Sequence, residues 1–335
     1  MVGGARAAGR RARQRLDDAS FRRLVDDLKA AVPMSAVVGR GDKLIRAGRE
    51  WKCCCPFHVE KSASFYVNDA KGFAHCFGCG WHGDIVRFVM DRQGCDFREA
   101  YNRLANDDLP TWAPAERAKA IAEQRLEDLA KEQDARQFYK VSVPIAGTPG
   151  EVYLRARGIT IQPPDVVRFG MVPSWRDPES GDWGRKRPAI ICGAQDATGA
   201  VVGIQRIFFE KDDPRRGRKD CKLSLGTIRG SALRLAPAGP CIVMAEGPED
   251  GLSIMQEGPG LPVWVPFGTS MMPQVQYPPQ VRKVIIAGQN NTPGRVAANK
   301  AAIALADLGL EVSFVWPSSR FDDWNDQLRG VANDG

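Results

Sequence analysis

Three stretches of the sequence predict a multidomain α/β fold, in which a small cysteine-clasped ribbon precedes a charged helix and a mixed α/β core. Near the front, Cys55-Pro-Phe-His58 and Cys76-Phe-Gly-Cys79 form two close pairs separated by seventeen residues. Residues 113–140 carry six acids and six bases with few large apolar side chains. Beyond Pro240, apolar strands alternate with helices at the spacing of a compact, mostly parallel sheet. The 335 residues suffice for two or three domains, and a 43% hydrophobic content is ordinary for globular protein.

The first sixteen residues hold Arg6, Arg10, Arg11, Arg13 and Arg15 and no acid. A flexible basic arm on phosphates, a solvated tail and an organellar transit peptide all share that composition, although a transit peptide carries more Ser than this stretch does. No apolar run approaches the roughly 20 residues that span a bilayer, and no apolar segment follows the arginines as in a secretory signal. Nine cysteines, an odd number, suit a reducing cytoplasm in which thiols hold metal in preference to pairing. The formal charge of +7 suits a polyanionic partner but also occurs in proteins that bind no nucleic acid.

Phe21, Leu24, Val25 and Leu28 recur at helical spacing, which predicts a short amphipathic helix from Asp17 that stops at Pro33. The Cys/His pairs then read as a zinc site. Zinc favours a closed tetrahedron of thiolate and imidazole, and a two-residue gap lets both members of a pair reach one ion. Cys53, Cys54, His75 and His82 crowd the same knuckles, but only Cys55, His58, Cys76 and Cys79 form two symmetric pairs. Ser64-Phe-Tyr-Val67 and Gly72-Phe-Ala-His75 predict two strands between the knuckles, and residues 84–92 and 97–104 predict helices. Phe65, Tyr66, Phe77 and Trp81 alternate with Lys52, Lys61 and Arg87, as stacking faces and phosphate partners do in single-strand binders. Phe57, Phe65 and Phe73 fit the mini-core, which leaves Tyr66 and Trp81 for a strand.

Glu50-Trp-Lys-Cys-Cys-Cys-Pro-Phe-His58, Glu60-Lys-Ser-Ala-Ser-Phe-Tyr-Val67, His75-Cys-Phe-Gly-Cys-Gly80 and Gly83-Asp-Ile-Val-Arg-Phe-Val-Met90 resemble the zinc ribbon of bacterial and phage DNA primases. The resemblance extends from Leu24 to Leu104 and makes residues 17–112 a zinc-ribbon domain.

Glu127/Lys131 and Glu132/Arg136 stand in the favourable i,i+4 order, so residues 113–140 predict a solvated helical linker. Residues 141–240 turn to short β-rich runs, with a hairpin of Ala189–Cys192 and Val201–Phe209 around Thr198-Gly199. Resemblance to the primase core makes this the N-terminal subdomain, with Arg206 and Lys222 lining a basic groove for template and nucleotide. Arg215, Arg216, Arg218 and Lys219 read as a basic loop that is equally a solvated face.

In residues 241–335 the strand Cys241–Ala245 ends on Glu246-Gly-Pro-Glu-Asp250, which exposes an acid at the sheet's edge just before a helix. A second strand ends at Gln289-Asn-Asn291, and Asp322-Asp323-Trp-Asn-Asp326 forms a third cluster. Strand ends that converge in this way can hold Mg²⁺ through oxygen ligands. This segment resembles a Toprim domain, and the resemblance implies that Glu246 acts in acid/base or metal work, with Asp250, Asp323 and Asp326 in support. Toprim sites carry an Asp-x-Asp pair where this sequence has Gln289 and Asn291. Amide oxygens can coordinate Mg²⁺ but bring no charge to offset its hydration, so a site of Glu246, Gln289, Asn291 and Asp323 is a weakened one.

The resemblances together imply a phage- or prophage-type DNA primase, a template-directed nucleotidyltransferase that makes short RNA primers on single-stranded DNA. It would use structural Zn²⁺ and catalytic Mg²⁺ or Mn²⁺ in the bacterial cytoplasm. No G-x-x-x-x-G-K-[ST] loop is present, and little sequence follows the Toprim segment, so a separate replicative helicase is the expected partner. A non-catalytic single-stranded DNA-binding accessory protein is the alternative, and a Toprim nuclease the third reading.

Overall fold

The structure, a computed structural model, describes residues 18–177, 180–210, 217–258 and 260–332. The basic arm at 1–16 and Arg215 and Arg216 lie outside the described residues. The chain divides between Arg125 and Leu126 into two compact units. No helix among the described residues is long and apolar enough to cross a membrane.

The first unit opens with helices α1 (Asp18–Ala31) and α2 (Met34–Val38). Five short antiparallel strands follow in sequential order: β1 (Ile45–Ala47), β2 (Glu50–Cys53), β3 (Phe65–Asn68), β4 (Phe73–Cys76) and β5 (His82–Gly83). Alternation decides which side of this ribbon is wet. Cys53, Phe65, Val67, Ala74 and Cys76 are buried against α2, α3 (Ile85–Gln93) and α4 (Phe97–Ala105). Both later helices start on carboxylate caps: Asp84 accepts from the Val86 and Arg87 N–H groups, and Asp96 accepts from that of Glu99. Such a cap contributes about 1 kcal/mol.

Helix α5 (Pro114–Val141) carries the predicted ion pairs, Lys131 with Glu127 at 2.5 Å and Arg136 with Glu132 at 2.7 Å. In the second unit, β6 (Val143–Pro144) and α6 (Pro149–Ala156) lead to β7 (Val167–Pro173), β8 (Lys186–Gln195), β9 (Val201–Phe209) and β10 (Gly217–Gly226). They form an antiparallel sheet in the order β10-β9-β8-β7-β6, larger than the single hairpin that the sequence predicts. The segment expected as a basic loop is in part strand, since the backbone of Arg218 and Lys219 lies in β10.

Strand β9 is flanked on both sides and covered on both faces. Ile204 and Phe208 pack with Ala135, Val172, Ala189 and Ile191, whereas Ile207 and Phe209 pack with Tyr153, Ile190 and Leu252. Behind it, β11 (Leu233–Arg234), β12 (Cys241–Ala245), β13 (Val263–Val265), β14 (Lys283–Ala287) and β15 (Glu311–Val315) form a second sheet in the order β11-β13-β12-β14-β15. All neighbours are parallel except β11, in line with the predicted mostly parallel sheet. Helices α7 (Pro248–Glu257), α8 (Thr292–Asp307) and α9 (Trp324–Arg329) complete it. Because β12 and β14 are adjacent and parallel, their C-terminal turns open on the same edge, where ligands of such sheets bind.

Candidate functional site

In the ribbon, Cys55, His58, Cys76 and Cys79 bring one ligand atom each within 4.8 Å of one another. Cys55 Sγ lies 3.8 Å from Cys79 Sγ, and Cys76 Sγ lies 3.7 Å from His58 Nδ1. A tetrahedron with Zn–S bonds of about 2.3 Å has sulfur–sulfur edges of about 3.8 Å, so three thiolates and one imidazole fit zinc in both chemistry and size. Backbone N–H groups of Phe57, Gly78 and Cys79 point at the sulfurs at 3.3–3.4 Å. A Cβ on Gly78 would lie 2.7 Å from His58 Nε2, so glycine is needed for the second knuckle to close over the imidazole.

Glu60, which the sequence reading did not single out, organises this site. One of its oxygens accepts from the Cys55 and Ser64 N–H groups at 2.6 and 3.0 Å, and the other accepts from the Ser64 hydroxyl at 2.5 Å. The latter also lies 3.3 Å from His58 Nε2, which fixes the tautomer that leaves Nδ1 free to bind metal. The Ser64 hydroxyl, aided by the backbone donors, holds the Glu60 carboxyl below its usual range. Cys53 is buried in the ribbon core and is not among the four residues brought together.

Lys52, Tyr66, His75 and His82 stand opposite one another across β2 to β5 on the ribbon's outer face. The exposed Phe77 packs edge-on against Tyr66 and His75 at 5.3 and 4.7 Å. Trp81 is placed differently from its expected role. It stacks on Phe57 at 4.6 Å, packs against the ribbon core and donates its indole N–H to Asp91, while Phe73 stays outside that core. Arg87 is held by Asp91 at 2.7 Å, and Lys61 is exposed.

In the second unit, a cleft of about 500 Å³ at the C-terminal edge of the parallel sheet gathers Glu246, Glu249, Asp250, Gln289 and Asp323 with Lys222, Arg157 and Gln205. Glu246 follows β12 directly, and Thr269 donates its hydroxyl to Glu246 Oε2 at 2.9 Å. The turn that delivers Thr269 passes through Phe267 at φ 63°, a left-handed backbone that costs a non-glycine residue about 1–2 kcal/mol. Strain of this kind gathers at ligand-binding sites. Glu249 is buried, yet it receives Lys222 Nζ at 2.8 Å and the Tyr153 hydroxyl at 3.1 Å. Burial pushes the Glu249 carboxyl up, but the charge and hydrogen bond of Lys222 outweigh it and hold the group ionised below its usual range.

Asp250 sits deeper, with Oδ1 accepting from the Asn325 N–H at 3.1 Å and Oδ2 from Gln289 Nε2 at 3.2 Å. Burial, reinforced by the charge of Asp323, pushes its carboxyl up to about 7. A carboxyl raised in the fold favours folding while protonated, and that contribution is lost as pH climbs from the unfolded value of 3.8 towards 7. Asp250→Asn is therefore expected to raise metal-free stability on the order of 3 kcal/mol at pH 8 and to change little near pH 4. Denaturant midpoints measured at the two pH values check the sign.

Some expected site residues are not brought to the cleft. Asn291 caps α8, accepting from the Gly294 N–H at 2.8 Å, and its amide donates to Gln289 Oε1 at 3.3 Å. Asp326 lies in the first turn of α9, where its N–H is capped by Asp323 at 2.7 Å and its carboxylate faces Arg329 at 3.6 Å. Arg206 is 3% exposed and donates to the Pro173 carbonyl at 2.6 Å, so it braces the sheet from within and offers nothing to a nucleic acid. Among the described residues no three acids of the cleft bring oxygens within 4.8 Å of one another. With Asn291 engaged as a cap and Gln289 turning its amide N–H towards Asp250, the set Glu246, Gln289, Asn291 and Asp323 does not fit a preformed Mg²⁺ cage.

Comparison with known proteins matches the CHC2 zinc finger family to residues 20–116, a domain family of unknown function to residues 130–235, and the Toprim domain to residues 241–334. A DNA primase of Pasteurella multocida is 35% identical over 158 residues, 46% of this chain and 27% of the relative. The DNA primase of Escherichia coli K12 is 29% identical over 221 residues, 57% of this chain and 38% of the relative. The chain thus spans well under half the length of these relatives. Among solved structures, the zinc-binding and RNA polymerase domains of the Aquifex aeolicus primase overlay 92% of this chain and 82% of that one, with TM-score 0.45 and 21% identity. The chain thus carries a CHC2 zinc finger in its first unit and a Toprim domain in its second, and about half of it is similar in sequence to bacterial proteins named DNA primase.

Proposed function

We propose that this chain is a primase of the phage or prophage type that joins ribonucleotides into short primers on single-stranded DNA. The observation that carries this reading is the cleft at the C-terminal edge of the Toprim sheet, where Glu246, Asp250 and Asp323 face Lys222 and Arg157 across one concavity. Cations opposite carboxylates suit phosphoryl transfer, in which positioning and charge stabilisation supply most of the catalysis. Lys222, set by Glu249, and Arg157 face the phosphates of the incoming nucleotide. Glu246, oriented by Thr269, takes the proton of the attacking hydroxyl. Cys55, His58, Cys76 and Cys79 hold a structural zinc ion, which fixes the ribbon so that Lys52, Tyr66 and Phe77 meet the unpaired template.

A separate replicative helicase is the partner expected in the bacterial cytoplasm. Purified protein, a single-stranded template, labelled ribonucleotides and Mg²⁺ or Mn²⁺ test the reading. Wild type is expected to yield dinucleotides and longer primers, and Glu246→Gln to reduce yield at least about 100-fold, as loss of a group acting at the reacting centre does. Template binding with no dinucleotide product from wild type would instead establish the accessory role that Gln289 and Asn291 suggest.

A further inference from the structure

One wall residue of the cleft carries a buried oxygen without a hydrogen-bond partner among the described residues. Period-two alternation along β9 puts Gln205 on the face shared with Ile207 and Phe209, directed into the second unit towards the Toprim sheet. It is only 8% exposed, and its Oε1 is buried with no hydrogen-bond partner among the described residues. Its apolar neighbours on that face show that an apolar side chain would pack there, and a buried polar atom without a partner is normally eliminated or satisfied. Gln205 nevertheless lines the same cleft as Lys222, Arg157 and Glu246.

The chemistry of the missing partner is constrained. Phosphate oxygens at neutral pH only accept hydrogen bonds, so they cannot satisfy a carbonyl oxygen. Register separates the two ends of the cleft wall, because Lys222 stands opposite Ile207 and Gln205 stands opposite Ser224. Lys222 and Gln205 are therefore diagonal neighbours, about 7–8 Å apart at the backbone, a spacing that suits a phosphate at one and the sugar of the same nucleotide at the other. Amino groups differ among the four bases, so a templated site that accepts all four cannot rely on one of them. A sugar hydroxyl is common to all ribonucleotides and is both donor and acceptor, so it satisfies the amide in either orientation.

We propose that Gln205 recognises a ribose hydroxyl, 2′ or 3′, of the incoming nucleotide. This rests on the nucleotide-polymerising reading above. The test is equilibrium binding of ATP, 2′-deoxy-ATP and 3′-deoxy-ATP, each with Mg²⁺, to the full zinc-loaded chain and to Gln205→Leu and Lys222→Met. Wild type is expected to bind ATP about tenfold tighter than at least one deoxy form, the scale of one hydrogen bond to an otherwise unpaired group. Which deoxy form is weakened identifies the hydroxyl. Gln205→Leu should bring ATP down to that deoxy form and leave the deoxy form unchanged, whereas Lys222→Met should weaken all three by a common factor.

Replacing an unpartnered buried amide with an apolar side chain of similar volume should leave the thermal midpoint unchanged or higher. Gln205→Met gives a second variant if leucine disturbs packing. Equal binding of all three nucleotides by wild type, or a uniform loss of all three in both Gln205 variants, would overturn the assignment while leaving the primase reading intact. If wild type bound no nucleotide at all, the primase reading itself would fall and the assignment with it.

Discussion

Zinc removal is expected to unfold the first unit while the second stays folded. The ribbon strands are two to four residues long, and their buried apolar side chains, Cys53, Phe65, Val67, Ala74 and Cys76, pack on one side only. A structural zinc site of this kind supplies on the order of 10 kcal/mol, comparable to the whole stability of a domain of about 100 residues. Without the ion, three thiols and an imidazole within 4.8 Å of one another are left with only hydrogen bonds to hold them. Chelation, or Cys76→Ser, should therefore abolish amide-exchange protection from β1 to β5 and retain it in the hairpin of β8 and β9. That hairpin belongs to cores built wholly from residues beyond Arg125. Retained protection in the ribbon after full loss of zinc would contradict the ligand assignment. Glu60→Ala should give a graded version, with the fold kept at saturating zinc and metal affinity lowered 10- to 100-fold, the usual effect of losing the partner of a metal-bound histidine. Competition with a chromogenic chelator measures it.

The zinc ligands were legible because their signal is local: two pairs at a fixed gap leave few alternatives. The order of strands and helices around β12, β13 and β14 was legible for the same reason, since each strand is a short apolar run with Gly or Pro within the next two residues. What escaped depends on which neighbour a side chain meets. Glu60 sits in a polar loop with no periodicity, and only the fold brings it under His58. Trp81 and Phe73 look interchangeable in sequence, but stacking on Phe57 draws Trp81 inwards. Charge made Arg206 conspicuous and Gln205 not, although consecutive residues of a strand face opposite ways and β9 is covered on both sides. Asn291 did carry a readable signal: Asn-Thr-Pro is the pattern of a helix cap followed by proline in the first turn, and the structure places it so.

That cap gives the second large expectation its shape. Asn291→Asp should cost little by itself, because aspartate accepts from the Gly294 N–H as well as asparagine does and only the long 3.3 Å hydrogen bond to Gln289 is lost. Gln289→Asp is another matter. Gln289 donates to Asp250 Oδ2, and Asp323 already stands close enough to raise the Asp250 carboxyl, so a carboxylate at 289 would replace a donor with a third like charge. At separations near 4 Å and an effective dielectric of about 20, such repulsion is on the order of 2–4 kcal/mol. The double variant Gln289→Asp/Asn291→Asp should therefore lose about that much stability at pH 8 in metal-free buffer. Millimolar Mn²⁺ or Mg²⁺ should restore it, since an ion at 100 times its dissociation constant returns about 2.7 kcal/mol. Wild type, whose amides bring no charge to an ion, should show little shift of its denaturation midpoint with the same metals, and its primer synthesis should be slower than that of the double variant at saturating metal. A wild-type midpoint that rises with Mn²⁺ as far as the variant's would mean that Glu246 and Asp323 already hold the ion unaided. The amides would then be replacements without consequence, and not the cause of a weakened site.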